Sequence, residues 1–241
     1  MRYRVFFFVI LFAGACGPAC AQYAHPDLKA GKRNISSFVL MPLQVELSKI
    51  SMKGGEPMME ESSQAEEALA PVFARVLERD GYAVDQKSLV PATLAQDPRL
   101  QYTVNDIQNK FNEILKQVVH KSGDVRKGRF TLGDTVINLP QGERADALLF
   151  VHVEGQILTG NKKAFDFFFG TGGMSDTFRV FVGMVDPRNG NLLYFSKLNL
   201  EGNIIADTTD LEAAMQRHLA LFLEVSPPHK AIKDLGPGRV P

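Results

Sequence analysis

The stretch from Ala145 to Asn203 reads ADALLFVHVEGQILTGNKKAFDFFFGTGGMSDTFRVFVGMVDPRNGNLLYFSKLNLEGN, and its pattern decides the fold. It opens on a strand, Ala145 to Gly155, whose apolar run is rich in β-branched and aromatic residues. A loop rich in Gly and Phe follows, and then a hairpin. The hairpin turn is written in Asp186-Pro187-Arg188-Asn189-Gly190. The fixed φ of Pro187 suits the start of a type I turn, and Gly190 stands where positive φ is needed. Beyond the turn, Leu192, Tyr194, Ser196, Leu198 and Leu200 are expected on one face, with Lys197, Asn199 and Glu201 on the other.

Upstream, Phe38 to Leu47 alternates apolar residues in a strand that Pro42 should place at an edge or bend near its middle. Ser48 to Ser63, with Gly54-Gly55 and Met58-Met59, reads as an exposed connector. Helical spacing predicts a helix over Gln64 to Asp80, capped by Ser62 or Ser63 and ended by Gly81, before a short strand at Tyr82 to Val84. A second helix is predicted between Thr103 and Lys121, and a loose, glycine-punctuated excursion around 122–143. Thr209 and Glu212 resemble a capping box opening a last helix, which Pro227-Pro228 stops. Strands alternating with helices and ending in a hairpin predict an α/β (α+β) fold, a mixed β-sheet packed by about three helices.

The first residues set the compartment. Arg2 and Arg4, an apolar core from Val5 to Phe12 and small residues to Ala21 have the order of a secretory signal, predicted over residues 1–21. Two processing routes stay open: release after Ala19-Cys20-Ala21, or lipidation at Cys16 in Ala13-Gly14-Ala15-Cys16, where Ala13 replaces the usual Leu. Cleavage after Ala21 would remove both cysteines, leaving 220 residues with 25 basic and 27 acidic side chains. Such a chain holds no disulfide or thiolate chemistry, and its near-neutral charge argues against a nucleic-acid partner. Residues 22–36 read as a flexible leader, 37–225 as one domain, and 226–241, rich in Pro and Gly, as a disordered tail.

Three pieces together resemble one family group. Phe38-Val39-Leu40-Met41-Pro42-Leu43 is similar to the first strand of the curli-secretion lipoprotein, TolB N-terminal-like and penicillin-binding-protein-activator lipoprotein group. Ala145-Asp146-Ala147-Leu148-Leu149 through Glu154-Gly155 resembles its "A-D-Y-L" strand. Val185-Asp186-Pro187-Arg188-Asn189-Gly190-Asn191-Leu192-Leu193 resembles its "V-D-x-x-T-G" hairpin, with Asn189 in place of Thr. The resemblance spans roughly Ser37 to Phe222, apart from Thr103 to Arg144. It implies an anticodon-binding-domain-like fold, an envelope location and a role in binding proteins, and it carries no catalytic residue across.

No metal motif, nucleophile elbow or phosphate loop is complete in the sequence, so no catalytic residue, metal or cofactor is expected. His152 and Glu154 share one face of a strand. The favoured reading is a hydrogen-bonded polar pair, with a proton relay as the enzymatic alternative. Phe165, Phe167, Phe168 and Phe169, between Lys162-Lys163 and a Gly-rich hinge, form the candidate partner-binding site. In the curli-secretion relatives the matching region supplies membrane-spanning strands. Here Asn161 to Thr177 is too short for two such strands, which leaves shallow membrane contact or docking to an envelope protein. The expected function is therefore a non-enzymatic envelope accessory or assembly module, with a periplasmic small-ligand or lipid carrier as the alternative. Oligomeric state is not legible.

Overall fold

The computed structural model describes residues 21–118, 121, 124, 126–159, 176–202, 204 and 208–227. Among them is a mixed eight-stranded sheet with helices on both faces, the α/β architecture expected from the sequence. Its strands are β1 (Ala21–Ala24), β2 (Ser37–Leu40), β3 (Gln44–Ser51), β4 (Gly54–Pro57), β5 (Ala83–Asp85), β6 (Ala147–Leu158), β7 (Thr177–Val185) and β8 (Leu192–Glu201). The order is β1-β8-β7-β6-β2-β5, with β3 continuing beside β6 where β2 ends and β4 folding back on β3. Helices are α1 (Pro26–Lys29), α2 (Met59–Arg79), α3 (Pro91–Leu94), α4 (Pro98–Val118) and α5 (Thr209–Val225).

β6 organises the rest because both of its faces are buried. Leu149, Val151 and Val153 join one core with Leu69, Phe73 and Val76 of α2 and Met215, Leu219 and Phe222 of α5. Leu148 and Phe150 join a second core with Val104, Ile107 and Phe111 of α4. Period-two alternation in a strand covered on both sides produces an uninterrupted apolar run, which is how this segment reads. Phe111 stacks on Phe150 with ring centroids 4.3 Å apart and planes 15° from parallel.

Pro42 lies in a bend, not at an edge. It separates β2 from β3, both of which run parallel to β6, and β2 is flanked on its other side by β5. With no N–H at Pro42 the ladder breaks there, and Gln108 of α4 donates to the Pro42 carbonyl at 2.7 Å. Between β2 and β5 the chain crosses over through α2, and Gly81 at φ 96° ends that crossover in the left-handed region expected of it.

Several expectations are corrected. The predicted flexible leader, 22–36, is part of the core: β1 pairs with β8, Ala24, Leu28 and Ile35 are buried, and buried His25 caps α1 by accepting from Asp27 N–H at 3.1 Å. Its polar composition conceals partners that are remote in sequence. Arg33 reaches the hairpin turn, with Nη2 2.8 Å from Asp186 Oδ2, and Ile35 N–H donates to Ser226 Oγ at 3.1 Å. Ser226 is correspondingly buried and accepts from Tyr82 O–H, so the chain is still fixed at the predicted start of the tail. Residues 228–241 lie outside the described residues.

The exposed connector, Ser48 to Ser63, is instead the β3–β4 hairpin and the first turn of α2, which starts at Met59. Ser62 sits inside that helix, donating to Met58 O and accepting from Leu47 N–H. The excursion around 122–143 closes over the sheet, with Phe130, Leu132, Val136 and Leu139 buried in the second core. It is latched to the hairpin turn by Leu132 N–H donating to Gly190 O and Leu192 N–H donating to Phe130 O. The capping box is not formed as drawn: Thr208 occupies the cap position, and the Glu212 carboxylate binds Arg75 at 2.9 Å and Arg79 at 3.7 Å. Leu192 and Tyr194 lie on opposite faces, because β8 carries an extra residue between the partners of Val185 and Met184.

Asp146, at the mouth of β6, ties the leader to the sheet. Its Oδ2 accepts from the N–H and O–H of both Ser36 and Ser37 at 2.7–3.1 Å. Burial alone would raise this carboxyl, but the hydrogen bonds from Ser36 and Ser37 outweigh it and hold the pKa below the ordinary value. A depressed folded pKa gives stability that is complete above the unfolded value, about 3.9, and is lost as pH falls through the folded one. Asp146→Asn should therefore flatten the acid limb of a stability profile below about pH 4. Urea titrations across that range measure the change in slope.

Candidate functional site

The two polar residues singled out on β6 do face one site. Parallel pairing with β3 places Gln44 opposite His152 and Glu46 opposite Glu154. Antiparallel pairing with β7 places Phe181 and Arg179 opposite the same two residues, and β8 adds Lys197 beside Phe181. This is the second face of the sheet, at the edge of the layer formed by α4. Asn112, Leu115 and Lys116 of that helix complete a cavity of about 320 Å3.

His152 is 5% exposed. Its Nε2 lies 3.8 Å from Glu154 Oε1, too far for the hydrogen bond expected from the sequence. The carboxylate instead forms an ion pair with Arg179, Nε 3.2 Å from Oε2. Burial pushes the His152 pKa below its ordinary value, and the carboxylates of Glu46 and Glu154 oppose that shift only in part. Among the described residues, neither His152 Nδ1 nor Asn112 Oδ1, both buried, has a hydrogen-bond partner. The Lys197 ammonium stands 5.8 Å from the Phe181 ring centroid.

Sequence reasoning located His152 and Glu154 but missed Arg179, Lys197, Asn112 and Lys116. Strand register supplies the first two and helix docking the others, and neither is visible before the sheet is assembled. Phe165, Phe167, Phe168 and Phe169 lie outside the described residues, as does Cys16. Among the described residues, no group of three His, Cys, Asp or Glu side chains could hold a metal ion. No helix among them is long and apolar enough to cross a membrane.

Past this cavity the second face carries a group of exposed polar side chains. Gln156, Thr177, Arg179, Asn199 and Glu201 are exposed there and border an open concavity of about 470 Å3. The sheet is tied off at this end by Asp176, which accepts from Leu158 N–H at 3.0 Å through its side chain and from Gly202 N–H at 2.9 Å through its carbonyl. β3 and β8 are finished differently on their outward sides. On the outward side of β3, the N–H groups of Val45 and Leu47 are taken by Glu66 and Ser62 of α2 at 3.1 and 3.0 Å. On the outward side of β8, β1 covers Tyr194 to Lys197, and no described strand flanks Leu198 to Glu201.

No protein-family model and no curated protein matches the chain. Solved structures with a distantly similar fold include a PelC dodecamer from Paraburkholderia phytofirmans, at 13% identity over 83% of this chain and 94% of that one, with a TM-score of 0.39. Lipoprotein GNA1162 from Neisseria meningitidis matches at 15% identity over 79% and 99%, with a TM-score of 0.37. A neuraminyllactose-binding hemagglutinin homologue from Helicobacter pylori matches at 13% identity over 78% and 82%, with a TM-score of 0.34. At these values the likeness is one of distant fold, and the site chemistry of this chain is read from its own residues.

Proposed function

We propose that this chain is an exported, non-enzymatic envelope protein that acts by binding a protein partner at the free end of its β6–β7–β8 sheet. The observation that carries the reading is the end of β8: side chains of α2 take the outward N–H groups of Val45 and Leu47 in β3, whereas no described strand flanks β8 from Leu198 to Glu201. A sheet edge with unpaired main-chain groups accepts an added strand from a partner. The basic, apolar and small regions of residues 1–21 support export, and the three motifs shared with the envelope lipoprotein group support a binding role. The phenylalanines at 165–169 belong to the chain between Leu158 and Asp176, which meet at this same end.

A pull-down from crosslinked envelope tests the reading. The wild-type chain is expected to recover a discrete partner, and replacing Phe167 and Phe168 with Ser is expected to lose most of it. Recovery of no specific partner, or of the same partner in equal yield from the double variant, would count against it.

A further inference from the structure

β1 begins where the open part of the β8 edge starts. The two strands are antiparallel, with Ala24 opposite Tyr194, Tyr23 opposite Phe195, Gln22 opposite Ser196 and Ala21 opposite Lys197. Going backwards along β1 is therefore going forwards along β8, towards Leu198 to Glu201, which no described strand flanks. The same register carried past Ala21 sets Cys20 opposite Leu198, Ala19 opposite Asn199, Pro18 opposite Leu200 and Gly17 opposite Glu201. His25 fixes which of these positions bond. Its N–H donates to Leu193 O at 2.7 Å, and consecutive residues of a strand turn their N–H and C=O groups to opposite edges. Tyr23 and Ala21 thus turn towards β8, and the alternation continues through Ala19 and Gly17, facing Asn199 and Glu201. Pro18 falls between them, at a position whose N–H would point away from β8. That is the kind of place in an edge strand where proline costs no ladder bond.

We propose that Gly17 to Cys20 are the built-in occupant of this edge, so that the route of processing sets its state. The chain lipidated at Cys16 keeps these residues, prolongs β1 along β8 and closes the edge. The chain cut after Ala21 loses them, and the main-chain groups of Asn199 and Glu201 stay open to an added strand. That the open form is the one that takes a partner rests on the partner-binding reading of the edge; the covering itself does not.

Amide hydrogen exchange, followed residue by residue by NMR on the two processed chains, tests the proposal. One chain begins at Cys16, made without its lipid and kept reduced, and the other begins at Gln22. The amides of Asn199 and Glu201 are expected to exchange at least about tenfold more slowly in the longer chain. Those of Leu198 and Leu200 turn towards β7, should be slow in both chains, and report that each is folded. In the longer chain, Ala19→Pro is expected to return Asn199 and Glu201 to fast exchange, because it removes a bonding N–H, whereas Pro18→Ala is expected to leave them slow. Fast exchange at 199 and 201 in both chains overturns the covering and leaves the edge free for a partner. Slow exchange in both overturns the covering and the partner-binding reading together. Protection that survives Ala19→Pro also overturns the proposed register.

Discussion

Replacing Asp186 with alanine is expected to cost about 3–5 kcal/mol, the largest loss from any single polar substitution in this chain. Asp186 is 3% exposed, at the start of the hairpin turn, and its two oxygens do separate work. Oδ2 lies 2.8 Å from Arg33 Nη2, in a pair whose side chains are 4% and 17% exposed. Oδ1 accepts from Arg188 N–H at 3.0 Å and shapes the turn. Removing the carboxylate leaves the guanidinium buried with no counter-charge, and desolvation of that uncompensated charge dominates the loss. The double replacement Arg33→Met with Asp186→Leu removes both charges and should recover most of it, since buried ion pairs often break even against apolar residues. Urea unfolding of the single and double variants measures both effects. A single-variant loss below about 1 kcal/mol, the size typical of exposed pairs, would show that the leader is not anchored through this contact.

Gly183→Val is expected to displace α4. A Cβ on Gly183 would lie 2.4–2.5 Å from the Phe111 ring, far inside van der Waals contact. The hole in β7 at Gly183 and the stacking partner Phe150 together seat that ring. Overpacking of this kind costs about 1–3 kcal/mol or more, whereas Phe111→Ala, which empties the seat, should cost about 3–5 kcal/mol. The two changes share one volume and cannot be additive: in the double variant the valine fills part of the space left by the ring. Thermal unfolding of the four proteins gives the coupling. Additive losses would mean that α4 is held by other contacts.

The architecture was legible where local chemistry decides it. The unbroken apolar run of β6 has to be buried on both faces, and Asp186-Pro187-Arg188-Asn189-Gly190 has to turn, as the Gly190 φ of 74° shows. The leader was misread because its ties run to Asp146, Asp186 and Ser226, between about 110 and 190 residues away, and no window of sequence contains both ends. The segment around 130–139 was misread because its buried residues follow neither a helical nor a strand period; they lie in 3-10 turns at Gly133–Asn138 and Pro140–Arg144 and in a latch to Gly190. At the hairpin, one extra residue, Leu193, was enough to turn Leu192 away from Tyr194. The His152 cavity was half visible. Alternation put His152 and Glu154 together, but which cations and acceptors face them depends on β3, β7 and α4 arriving in register.

The binding reading rests on the edge of β8, and one measurement addresses it directly. A photo-crosslinking amino acid placed at Asn199, exposed beside that edge, is irradiated in intact cells, with the same group at Arg75 on α2 as the comparison. A discrete higher-mass adduct from position 199, absent from position 75, is the predicted result. No adduct at 199, or the same smear from both positions, would contradict it.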